Sequence, residues 1–530
     1  MPKTEAALIA TALGLIGREA SFSIEEHGAA AGLDPERDEA KLAALRAEIG
    51  AGIDPLGMAF SRIRPARLRR ALGATYTPPE IVRAMLERAA SEAGADAVAR
   101  IVDPGAGSGR FLLAAAEKFP DAALIGIESD PVAALLLRAN LAAGGLSQRA
   151  RVIVGDYRIA ALPPLDGRTL FIGNPPYVRH HDIGPEWKNW FAVAARRYGV
   201  KASRLAGLHL HFFLRTLELA RPGDLGCFIT AAEWLDVNYG AALRALLAGR
   251  LGVIALDVFD PKALPFEDAA TTGVITHFRI DAAEQTAGLR LIDDVAALGS
   301  RGAGKTITRM ALASSPRWSA LLKPQSARPA GWIELGAICR VHRGQVTGGN
   351  AIWIEGVAGR ELPERFLHPT VTKARELLRA GKDLVNAQDL RRVIDLPPDL
   401  DALDAVERAA VARFLDWVRA QGGDASYIAR HRKPWWSVGL KPVAPILCTY
   451  MARRPPAFLR NRCSARHINI AHGLYPRETL PDAALNALAA WLRENVTQSS
   501  GRTYAGGLTK FEPKELERIA LPPLGELAAL

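Results

Sequence analysis

From Arg100 onward, strand, loop and helix patterns follow one another, and this order constrains the fold more than any other feature of the chain. Apolar, β-branched runs typical of strands lie at 101–103, 123–128, 151–155, 169–173, 225–230, 253–259 and 272–280. Helical patterns fill 110–118, 131–141 and 239–248. Because strands that alternate with helices form parallel sheets, the sequence predicts an α/β fold with a doubly wound, Rossmann-like sheet. The ligand of such a sheet lies beyond the carboxyl ends of its strands.

Four polar residues stand at these strand ends: Asp103, Glu128, Asp156 and Asn174. Asp103 directly precedes the glycine-rich loop 104–109, where its charge would repel a pyrophosphate and attract an ammonium group. Glu128 ends the next strand, at the position where an acidic residue binds a ribose diol. Asp156 is placed to accept from an adenine amino group. Three carboxylates around one loop therefore indicate a cationic nucleoside, S-adenosylmethionine, as the cofactor.

The strand at 169–173 runs directly into Asn174-Pro-Pro-Tyr177. Its two prolines carry no N–H donor, so this loop offers carbonyl oxygens with few competing donors. The Oδ1 atom of Asn174 and the carbonyl oxygen of Pro175 can accept hydrogen bonds from both N–H groups of an exocyclic amine. Tyr177 can stack on the ring that carries this amine. The motif therefore indicates a site for a planar, amine-bearing ring. A turn that follows a strand and packs a tyrosine is the alternative.

A second glycine-rich stretch, Gly299–Thr306, fits the P-loop pattern GxxxxGK[ST]. A P-loop binds phosphate because it follows a hydrophobic strand and opens a helix, whose N-terminal N–H groups hold the ligand. Asp293 and Asp294 precede this stretch instead of a strand. We therefore expect no nucleotide hydrolysis at this position.

The N-terminal part of the chain predicts helices. Residues 1–70 are rich in Ala, Leu, Arg and Glu, and they end in a basic stretch at 62–70. This stretch is either a solvated helical face or a contact to phosphate. Just beyond it, Thr77 is predicted to cap a helix that has Pro78 at its first position and Glu80 at its third.

Length and charge predict several domains and a polyanionic partner. The chain has 530 residues, more than one ordinary domain, and a formal charge of +11. We divide it into an N-terminal helical segment (1–70), a catalytic domain (71–285), a connector (286–329) and a mixed C-terminal domain (330–530). The four cysteines show no metal-ligand spacing, and no apolar run approaches the length of a membrane span. We therefore expect a cytoplasmic protein with no metal site and no membrane partner.

The combined motifs resemble those of the gamma class of N6-adenine DNA methyltransferases, the TaqI-like modification methylases of type II restriction-modification systems. The matching stretches are TYTPPE at 75–80, VDPGAGSGRF at 102–111, GIESDP at 126–131, GDY at 155–157 and GNPPY at 173–177. The family places its cofactor half first, its target motif second and its recognition domain last, and this chain keeps that order. The resemblance implies a class I S-adenosylmethionine-dependent methyltransferase fold with a C-terminal target-recognition domain.

The resemblance also implies roles for individual residues. Cofactor binding would fall to Thr77, Asp103, Gly105, Gly107, Glu128, Asp156, Tyr157 and Pro176. Asn174 and Pro175 would bind the amine of a flipped-out adenine, with Tyr177 stacked on one face of the base. Phe266 would cover the other face; Phe259 competes for that role, and core packing of both phenylalanines is the alternative.

Double-stranded DNA is the substrate that the resemblance implies, for an enzyme that acts as a monomer beside a separate restriction endonuclease. The basic residues expected to contact DNA are Arg179, Lys201, Arg343, Arg453, Arg454, Arg502 and Lys510, together with Arg460 and Arg462. Three other activities stay open: N4-cytosine methylation, methylation of RNA or protein glutamine, and DNA binding by an inactive methylase fold. The large C-terminal domain disfavours RNA and protein substrates, because those enzymes generally lack one.

Overall fold

The computed structural model describes residues 2–17, 21–64, 76–94, 98–260, 263, 272–299, 304–322, 329–356, 359, 361–504 and 508–527. The chain divides into two compact units, Met1–Gln325 and Ser326–Leu530. Within the described ranges, no helix combines the length and the apolar character that a membrane crossing requires.

The first unit is built on one mixed sheet of nine described strands. In chain order these are β1 (Val98–Pro104), β2 (Ala123–Glu128), β3 (Ala150–Val154), β4 (Arg168–Gly173), β5 (Leu225–Ala231), β6 (Val253–Phe259), β7 (Gly273–Arg279), β8 (Thr286–Ile292) and β9 (Lys305–Thr308). Their order across the sheet is β3-β2-β1-β4-β5-β7-β6-β8-β9. Strands β1 to β5 are parallel, whereas β7 runs antiparallel to β5 and β6. The chain reverses its direction of winding between β1 and β4, which places the ligand crevice at the carboxyl ends of these strands.

Twelve described α-helices belong to this unit. They are α1 (Glu5–Ile16), α2 (Ile24–Ala30), α3 (Glu39–Gly50), α4 (Pro55–Ile63), α5 (Pro79–Ala93), α6 (Arg110–Lys118), α7 (Pro131–Ala143), α8 (Pro185–Arg197), α9 (Leu208–Leu219), α10 (Ala241–Ala248), α11 (Arg309–Ser314) and α12 (Ser319–Leu322). Helix α6 and strands β2 and β6 have the bounds that the sequence predicted. The predicted α/β sheet is thus confirmed.

Helices cover both faces of the sheet. On one face, Val102 and Phe171 pack with Phe213 of α9 and Leu246 of α10. On the other face, alternate strand residues such as Ile101 pack against helices α5, α6 and α7. Because successive side chains of a strand point to opposite faces, apolar runs buried on both sides are the expected sequence of a parallel sheet.

The N-terminal helices pack onto this unit. Leu8, Leu42 and Leu56, from α1, α3 and α4, are buried together with Leu136 of α7. Burial of a leucine side chain contributes about 1.5–3 kcal/mol. Helices α1, α3 and α4 therefore form part of the first compact unit, with their buried leucines packed against α7.

The stretch expected to be a connector, 286–329, departs from that prediction. Its strands β8 and β9 extend the sheet, with β8 parallel to β6 and β9 antiparallel to β8. The connector assignment was wrong because β8 and β9 bury mainly one face, which gives a weak apolar pattern. Lys305 and Thr306 of the P-loop-like stretch lie on β9 and open no helix, while residues 300–303 of that stretch lie outside the described residues.

The second unit is mixed α/β. Its described helices are α13 (Leu335–Ile338), α14 (Asn350–Trp353), α15 (Ala374–Ala380), α16 (Ala405–Ala420), α17 (Tyr427–Arg430), α18 (Asp482–Asn495), α19 (Pro513–Glu517) and α20 (Leu524–Leu527). Its described strands are β10 (Ile333–Glu334), β11 (Cys339–Arg343), β12 (Leu367–Val371), β13 (Asp383–Leu384), β14 (Arg391–Ile394), β15 (Ile446–Thr449), β16 (Met451–Ala452), β17 (Phe458–Asn461), β18 (Arg466–His467), β19 (Ala471–Pro476), β20 (Arg502–Tyr504), β21 (Leu508–Lys510) and β22 (Ala520–Leu521).

The strands of this unit form several small sheets. The described ones have the orders β11-β19-β15-β17-β13, β14-β12-β18, β16-β21-β20 and β10-β22. One core of the unit buries Ile446 and Phe458 of the five-stranded sheet against Leu488 and Leu492 of α18. Short strands joined by long loops explain why the sequence showed little periodicity here.

Candidate active site

The glycine-rich loop joins β1 to α6 and folds back over β2. The N–H groups of Gly105 and Ala106 donate to the carbonyl oxygen of Ile127, at 2.8 and 3.1 Å. Gly107 has a φ of +55°, in the left-handed region that favours glycine. Its N–H donates to Oε2 of Glu128 at 2.8 Å. The loop backbone therefore fixes the Glu128 carboxylate at the end of β2.

Asp103, next to this loop, is a buried acid. Its side chain is 1% exposed, and neither carboxylate oxygen has a hydrogen-bond donor among the described residues. Burial, and to a lesser degree the Glu128 charge, raises the pKa of Asp103 well above its ordinary value. A Cβ atom on Gly173 would lie 2.4 Å from Oδ1 of Asp103, so the glycine at the end of β4 makes room for the carboxylate. A buried carboxylate with two unsatisfied oxygens fits a cationic ligand.

Glu128 is held more firmly than Asp103. Its Oε1 atom accepts from the N–H of Asp130 at 2.9 Å, in addition to the bond from Gly107. Burial raises the pKa of Glu128, and these backbone donors oppose the shift. The carboxylate is therefore oriented before any ligand binds.

Asp156, which follows β3, is ion-paired within the site. Its Oδ1 atom accepts from Nε of Arg158 at 2.9 Å, and its Oδ2 atom accepts from Nη2 at 2.5 Å. The guanidinium of Arg158 in turn lies 3.7 Å from the ring centroid of Trp187 on α8. An adenine amino group that binds Asp156 would share this carboxylate with Arg158. The sequence analysis predicted neither the Arg158 ion pair nor the contact of Arg158 with Trp187.

Asn174 and Thr77 meet at the crevice. The Nδ2 atom of Asn174 donates to Oγ1 of Thr77 at 2.9 Å. The predicted capping role of Thr77 was wrong: helix α5 begins at Pro79, and Pro78 occupies the cap position without a side-chain hydrogen bond. Because the cap position moves one residue along the chain, the Thr77 hydroxyl is left to accept from the Asn174 amide.

A cavity of about 400 Å³ brings many of the predicted residues together, and this volume suits a small-molecule ligand. The predicted cofactor-binding and catalytic residues that line it are Thr77, Gly105, Gly107, Glu128, Asp156, Tyr157, Asn174 and Pro176. Tyr157 is 2% exposed, and its hydroxyl lies 2.9 Å from Oγ1 of Thr216. Three further predicted residues, Asp103, Pro175 and Tyr177, are not among the lining residues.

The aromatic residues expected at the target base have different surroundings. The ring of Tyr177 packs edge-on to that of His209, with the centroids 6.3 Å apart, and burial raises the pKa of Tyr177. Phe266 lies outside the described residues. Its competitor Phe259 is fully buried in the core with Ile275 and Ile292. Phe259 is therefore a packing residue.

The N-terminal segment contributes to the site, which sequence reasoning did not foresee. Its cavity-lining residues are Gly57, Phe60, Ser61 and Arg64. Arg64, part of the predicted basic stretch, bonds through Nε to Oε2 of Glu5 at 2.7 Å and also pairs with Asp130. Arg64 is thus held by acidic residues of the same unit. Arg67, Arg69 and Arg70 lie outside the described residues.

The basic residues predicted to contact DNA differ in their environments. Arg179 and Lys201 are exposed on the first unit, and Arg453 and Arg454 are exposed on the second. Arg460 was a wrong prediction, because it is 6% exposed and its Nη2 atom bonds to Oδ1 of Asp482 at 2.8 Å.

Arg462, an exposed residue that follows β17, also binds Asp482 of α18, at 2.8 and 2.9 Å through Nη1, so its guanidinium is paired within the second unit. Buried or paired guanidinium groups of this kind stabilise the fold.

Two of the predicted residues lie beside the ring of Tyr450 in the second unit, and Tyr450 itself is 7% exposed. The guanidinium of Arg343 lies 4.5 Å, and Nζ of Lys510 lies 5.2 Å, from the ring centroid of Tyr450. Lys510 also pairs with Glu512 at 2.5 Å. Arg502 lies opposite Lys510 across the β20–β21 pair, and its side chain is outside the described residues.

Three family models match this chain. The model of type II methyltransferase M.Eco57I, C-terminal domain, matches residues 325–529. The Eco57I restriction-modification methylase model matches 169–260, and the N-6 DNA methylase model matches 66–200. The last two ranges contain the glycine-rich loop, the three acidic strand ends and Asn174-Pro-Pro-Tyr177.

Relatives match over most of their length. The chain is 56% identical over 476 residues to the type II methyltransferase M.XamI of Xanthomonas campestris pv. amaranthicola, across 90% of this chain and 88% of that protein. It is 25% identical over 536 residues to M.PaeR7I of Pseudomonas aeruginosa, across 89% and 90%. The solved type IIG restriction endonuclease BpuSI aligns with a TM-score of 0.50 at 16% identity, across 99% of this chain and 71% of that one. The likeness to BpuSI concerns the fold alone.

Proposed function

The chain belongs to the type II methyltransferases, and on that premise we propose that it moves a methyl group from S-adenosylmethionine to the N6 amine of an adenine in duplex DNA. It is an adenine-specific DNA methyltransferase with the class I methyltransferase fold. The TaqI-like gamma class stays a prediction. A monomeric active form and a separate restriction endonuclease belong to the proposal.

One observation carries the proposal: the amide of Asn174 is held by Thr77 on the wall of a cavity that Glu128 also lines. The proposed amine-binding residue and the proposed ribose-binding residue thereby line one pocket, because Asn174 lies in the Asn-Pro-Pro-Tyr motif and Glu128 ends β2 beside the glycine-rich loop. Asp103, which directly precedes the loop, adds a buried carboxyl group close to this pocket.

The residues around the glycine-rich loop fit S-adenosylmethionine. The unsatisfied carboxylate of Asp103 would receive its ammonium group, and Glu128 would receive the ribose hydroxyls. Thr77 would contact the methionine carboxylate, while Tyr157 and Pro176 would pack near the adenine ring. When bound, S-adenosylmethionine supplies an electrophilic methyl group on its sulfur.

Asn174 and Pro175 activate the target amine. The lone pair of an adenine N6 amine is delocalised into the ring, which makes it a poor nucleophile. The Asn174 Oδ1 atom and the Pro175 carbonyl oxygen accept hydrogen bonds from the two N–H groups of the amine. These hydrogen bonds increase electron density on the nitrogen and favour its pyramidal geometry. Rigid positioning of these acceptors by the two prolines limits the motion that would misalign attack.

Tyr177 stabilises the base outside the duplex. Unstacking and unpairing a base costs a few kcal/mol. Stacking on an aromatic side chain contributes about 1–3 kcal/mol per base, so Tyr177 offsets much of this cost. Phe266 is proposed as the second aromatic contact.

The basic residues that remain candidates bind the DNA backbone or read its bases. We assign this role to Arg179, Lys201, Arg343, Arg453, Arg454, Arg502 and Lys510. Phosphate contacts by Lys and Arg release counterions, so binding should weaken steeply as salt rises. Arg343 and Lys510 both lie against the ring of Tyr450, which holds the two cations close to each other.

The test is a methylation assay with analysis of the product nucleosides. Unmodified duplex DNA is incubated with the purified chain and labelled S-adenosylmethionine, then digested for mass spectrometry. N6-methyladenine is the expected product, and N4-methylcytosine would overturn the adenine assignment. Label transferred to tRNA or protein, and to no DNA, would overturn the DNA substrate.

The variant Asn174→Ala separates an enzyme from an inactive DNA-binding methylase fold. We expect kcat to fall by about 10²–10³-fold or more, the effect of losing one preorganised group at a reacting centre. Cofactor binding, measured by calorimetry with S-adenosylhomocysteine, should change little. Asn386→Ala, at an exposed asparagine of the second unit, serves as the control and should methylate like the parent chain.

A further inference from the structure

Asp54 reaches from the N-terminal helices to the glycine-rich loop. It is 4% exposed and accepts from four donors. Its Oδ1 atom accepts from the N–H of Gly57 at 2.8 Å and from Nδ2 of Asn140 at 2.9 Å. Its Oδ2 atom accepts from Oγ of Ser108 at 2.5 Å and from Nη2 of Arg110 at 2.8 Å. Both oxygens of this carboxylate therefore hold two donors each.

Helix α4 and the loop approach each other closely at this point. A Cβ atom on Gly57 would lie 2.1 Å from Oδ2 of Asp54 and 2.3 Å from Oγ of Ser108. Asn140 of α7 also donates to the carbonyl oxygen of Ser108 at 2.8 Å. Ser108 is thus held at its hydroxyl by Asp54 and at its carbonyl by Asn140.

Arg110 extends these contacts to the other side of the cavity. Its Nη1 atom donates to the carbonyl oxygen of Thr77 at 2.9 Å, and its guanidinium carbon lies 3.1 Å from the ring centroid of Tyr76. Thr77 in turn accepts from Asn174. Tyr76, Thr77, Arg110 and Asn174 all line the cavity.

We propose that Asp54 is a positioning residue of the methyltransferase site, which fixes Ser108 in the loop and fixes Thr77, and so Asn174, through Arg110. This inference rests on the proposed function, because it takes the cavity to hold S-adenosylmethionine. Asp54 itself is not among the cavity-lining residues. The N-terminal helices therefore complete the cofactor pocket by supplying a carboxylate that the loop lacks.

The negative charge of Asp54 matters as well as its shape. The Arg110 side chain is 14% exposed, and its ion pair with Asp54 compensates the burial of its charge. Asparagine at position 54 would keep the shape of the side chain. It would also turn an N–H donor toward groups that are themselves donors, so Arg110 and Ser108 would lose a shared acceptor.

The first experiment compares Asp54→Asn with Asp38→Asn. Asp38 caps α3 in the same segment, with its Oδ1 atom 3.1 Å from the N–H of Lys41, and is exposed, so it is a matched control. We expect Asp54→Asn to weaken S-adenosylhomocysteine binding by about ten- to hundredfold, the equivalent of a charged hydrogen bond. The KM for S-adenosylmethionine should rise and kcat should fall, with the KM for DNA unchanged. Asp38→Asn should match the parent chain.

A double-mutant cycle tests the route through Arg110. If Asp54 acts through Arg110, the variant with both Asp54→Asn and Arg110→Gln should bind S-adenosylhomocysteine no more weakly than the weaker-binding single variant. If the fold-loss in affinity of the double variant equals the product of the two single fold-losses, Asp54 does not act through Arg110. Ser108→Ala, which removes one Asp54 contact alone, replaces Asp54→Asn if that variant does not fold, and should weaken binding by about threefold or more.

Hydrogen exchange in the cofactor-free chain provides a readout independent of methylation. Backbone amides at 105–110 should exchange faster in Asp54→Asn than in the parent chain or Asp38→Asn. Unchanged loop exchange together with unchanged S-adenosylhomocysteine affinity would overturn the role of Asp54. A parent chain that methylates no DNA would overturn the proposed function instead, and the exchange comparison would still decide the role of Asp54.

Discussion

The Nδ2 atom of Asn174 lies 2.9 Å from the Oγ1 atom of Thr77, although the two residues are 97 positions apart in the chain. A primary amide has its acceptor and donors in one plane, so donation through Nδ2 also fixes the direction of Oδ1. Thr77, which precedes α5, thereby orients Asn174 of the proposed amine-binding motif. In the proposed function, this hydrogen bond links a cofactor-binding residue to an amine-binding residue.

Replacing Thr77 should slow methyl transfer. Thr77→Val keeps the side-chain volume and removes the acceptor for Asn174, and a net loss of about 1.4 kcal/mol corresponds to a tenfold lower rate. We expect a roughly tenfold lower single-turnover rate for Thr77→Val. Thr77→Ser keeps the hydroxyl and should stay within about threefold of the parent chain. Equal rates for the valine and serine variants would contradict the role of this hydrogen bond.

Asp103 should favour cofactor binding at the expense of stability. Its folded-state pKa is raised by burial, so between the ordinary and the raised pKa the folded chain holds a proton that the unfolded chain has released. The contribution of Asp103 to the free energy of unfolding therefore falls as pH rises through this window. At neutral pH, Asp103→Asn should raise Tm in a thermal scan by about 2–4 °C, equivalent to ~1 kcal/mol.

The same variant should bind cofactor poorly. Because an ammonium group is attracted to the ionised form of Asp103, affinity for S-adenosylhomocysteine should increase as pH rises through the raised pKa of Asp103. Asp103→Asn should lose both the affinity and its pH dependence in calorimetry across a pH series. A variant that binds normally, or that keeps the pH dependence, would contradict this assignment.

Gly173→Ala should weaken cofactor binding by displacing the Asp103 carboxylate. Its Cβ atom would lie 2.4 Å from Oδ1 of Asp103, a distance at which the carboxylate must move. We expect affinity for S-adenosylhomocysteine to fall by about tenfold or more, equivalent to ~1.4 kcal/mol. Gly288→Ala on β8 is the control, since no heavy atom lies within 4 Å of its added Cβ. Equal affinities in the two variants would exclude a steric role for Gly173.

Tyr177 should act through its ring. Tyr177→Phe keeps the aromatic face, and we expect its kcat/KM for DNA to stay within about threefold of the parent value. Tyr177→Ala removes a stacking contribution of about 1–3 kcal/mol, so kcat/KM should fall by about five- to 150-fold. Fluorescence of 2-aminopurine at the target position would report whether the base still leaves the stack. A phenylalanine variant as impaired as the alanine variant would point to the hydroxyl instead.

Salt dependence can separate phosphate contacts from structural ion pairs. Arg453 is exposed, and replacement by glutamine should lower the magnitude of the slope of log K against log salt by about 1 if it binds one phosphate. Arg462→Gln is the control, because this arginine binds Asp482 within the second unit and should leave the slope unchanged. Binding titrations at several salt concentrations measure both slopes, and identical slopes for all three proteins would remove Arg453 from the interface.

Local sequence patterns determined the central elements of this protein. The bounds of α6, β2 and β6 agree with prediction because apolar periodicity, a glycine-rich turn and flanking polar residues are all encoded within a few positions. The acidic residues at the strand ends could be assigned to one edge of the sheet, because parallel strands bring their carboxyl ends together. Weak periodicity hid β8 and β9, which bury mainly one face.

Only the tertiary structure decided which distant residues complete the site. The sequence contains Asp54, Arg64 and Thr77, but their partners Arg110, Asp130 and Asn174 lie far along the chain, and no local pattern encodes such pairs. These contacts arise because α4 packs on α7 and the chain winds back across the sheet. Hydrogen bonds between buried groups depend on positions in space, which packing sets and sequence spacing does not.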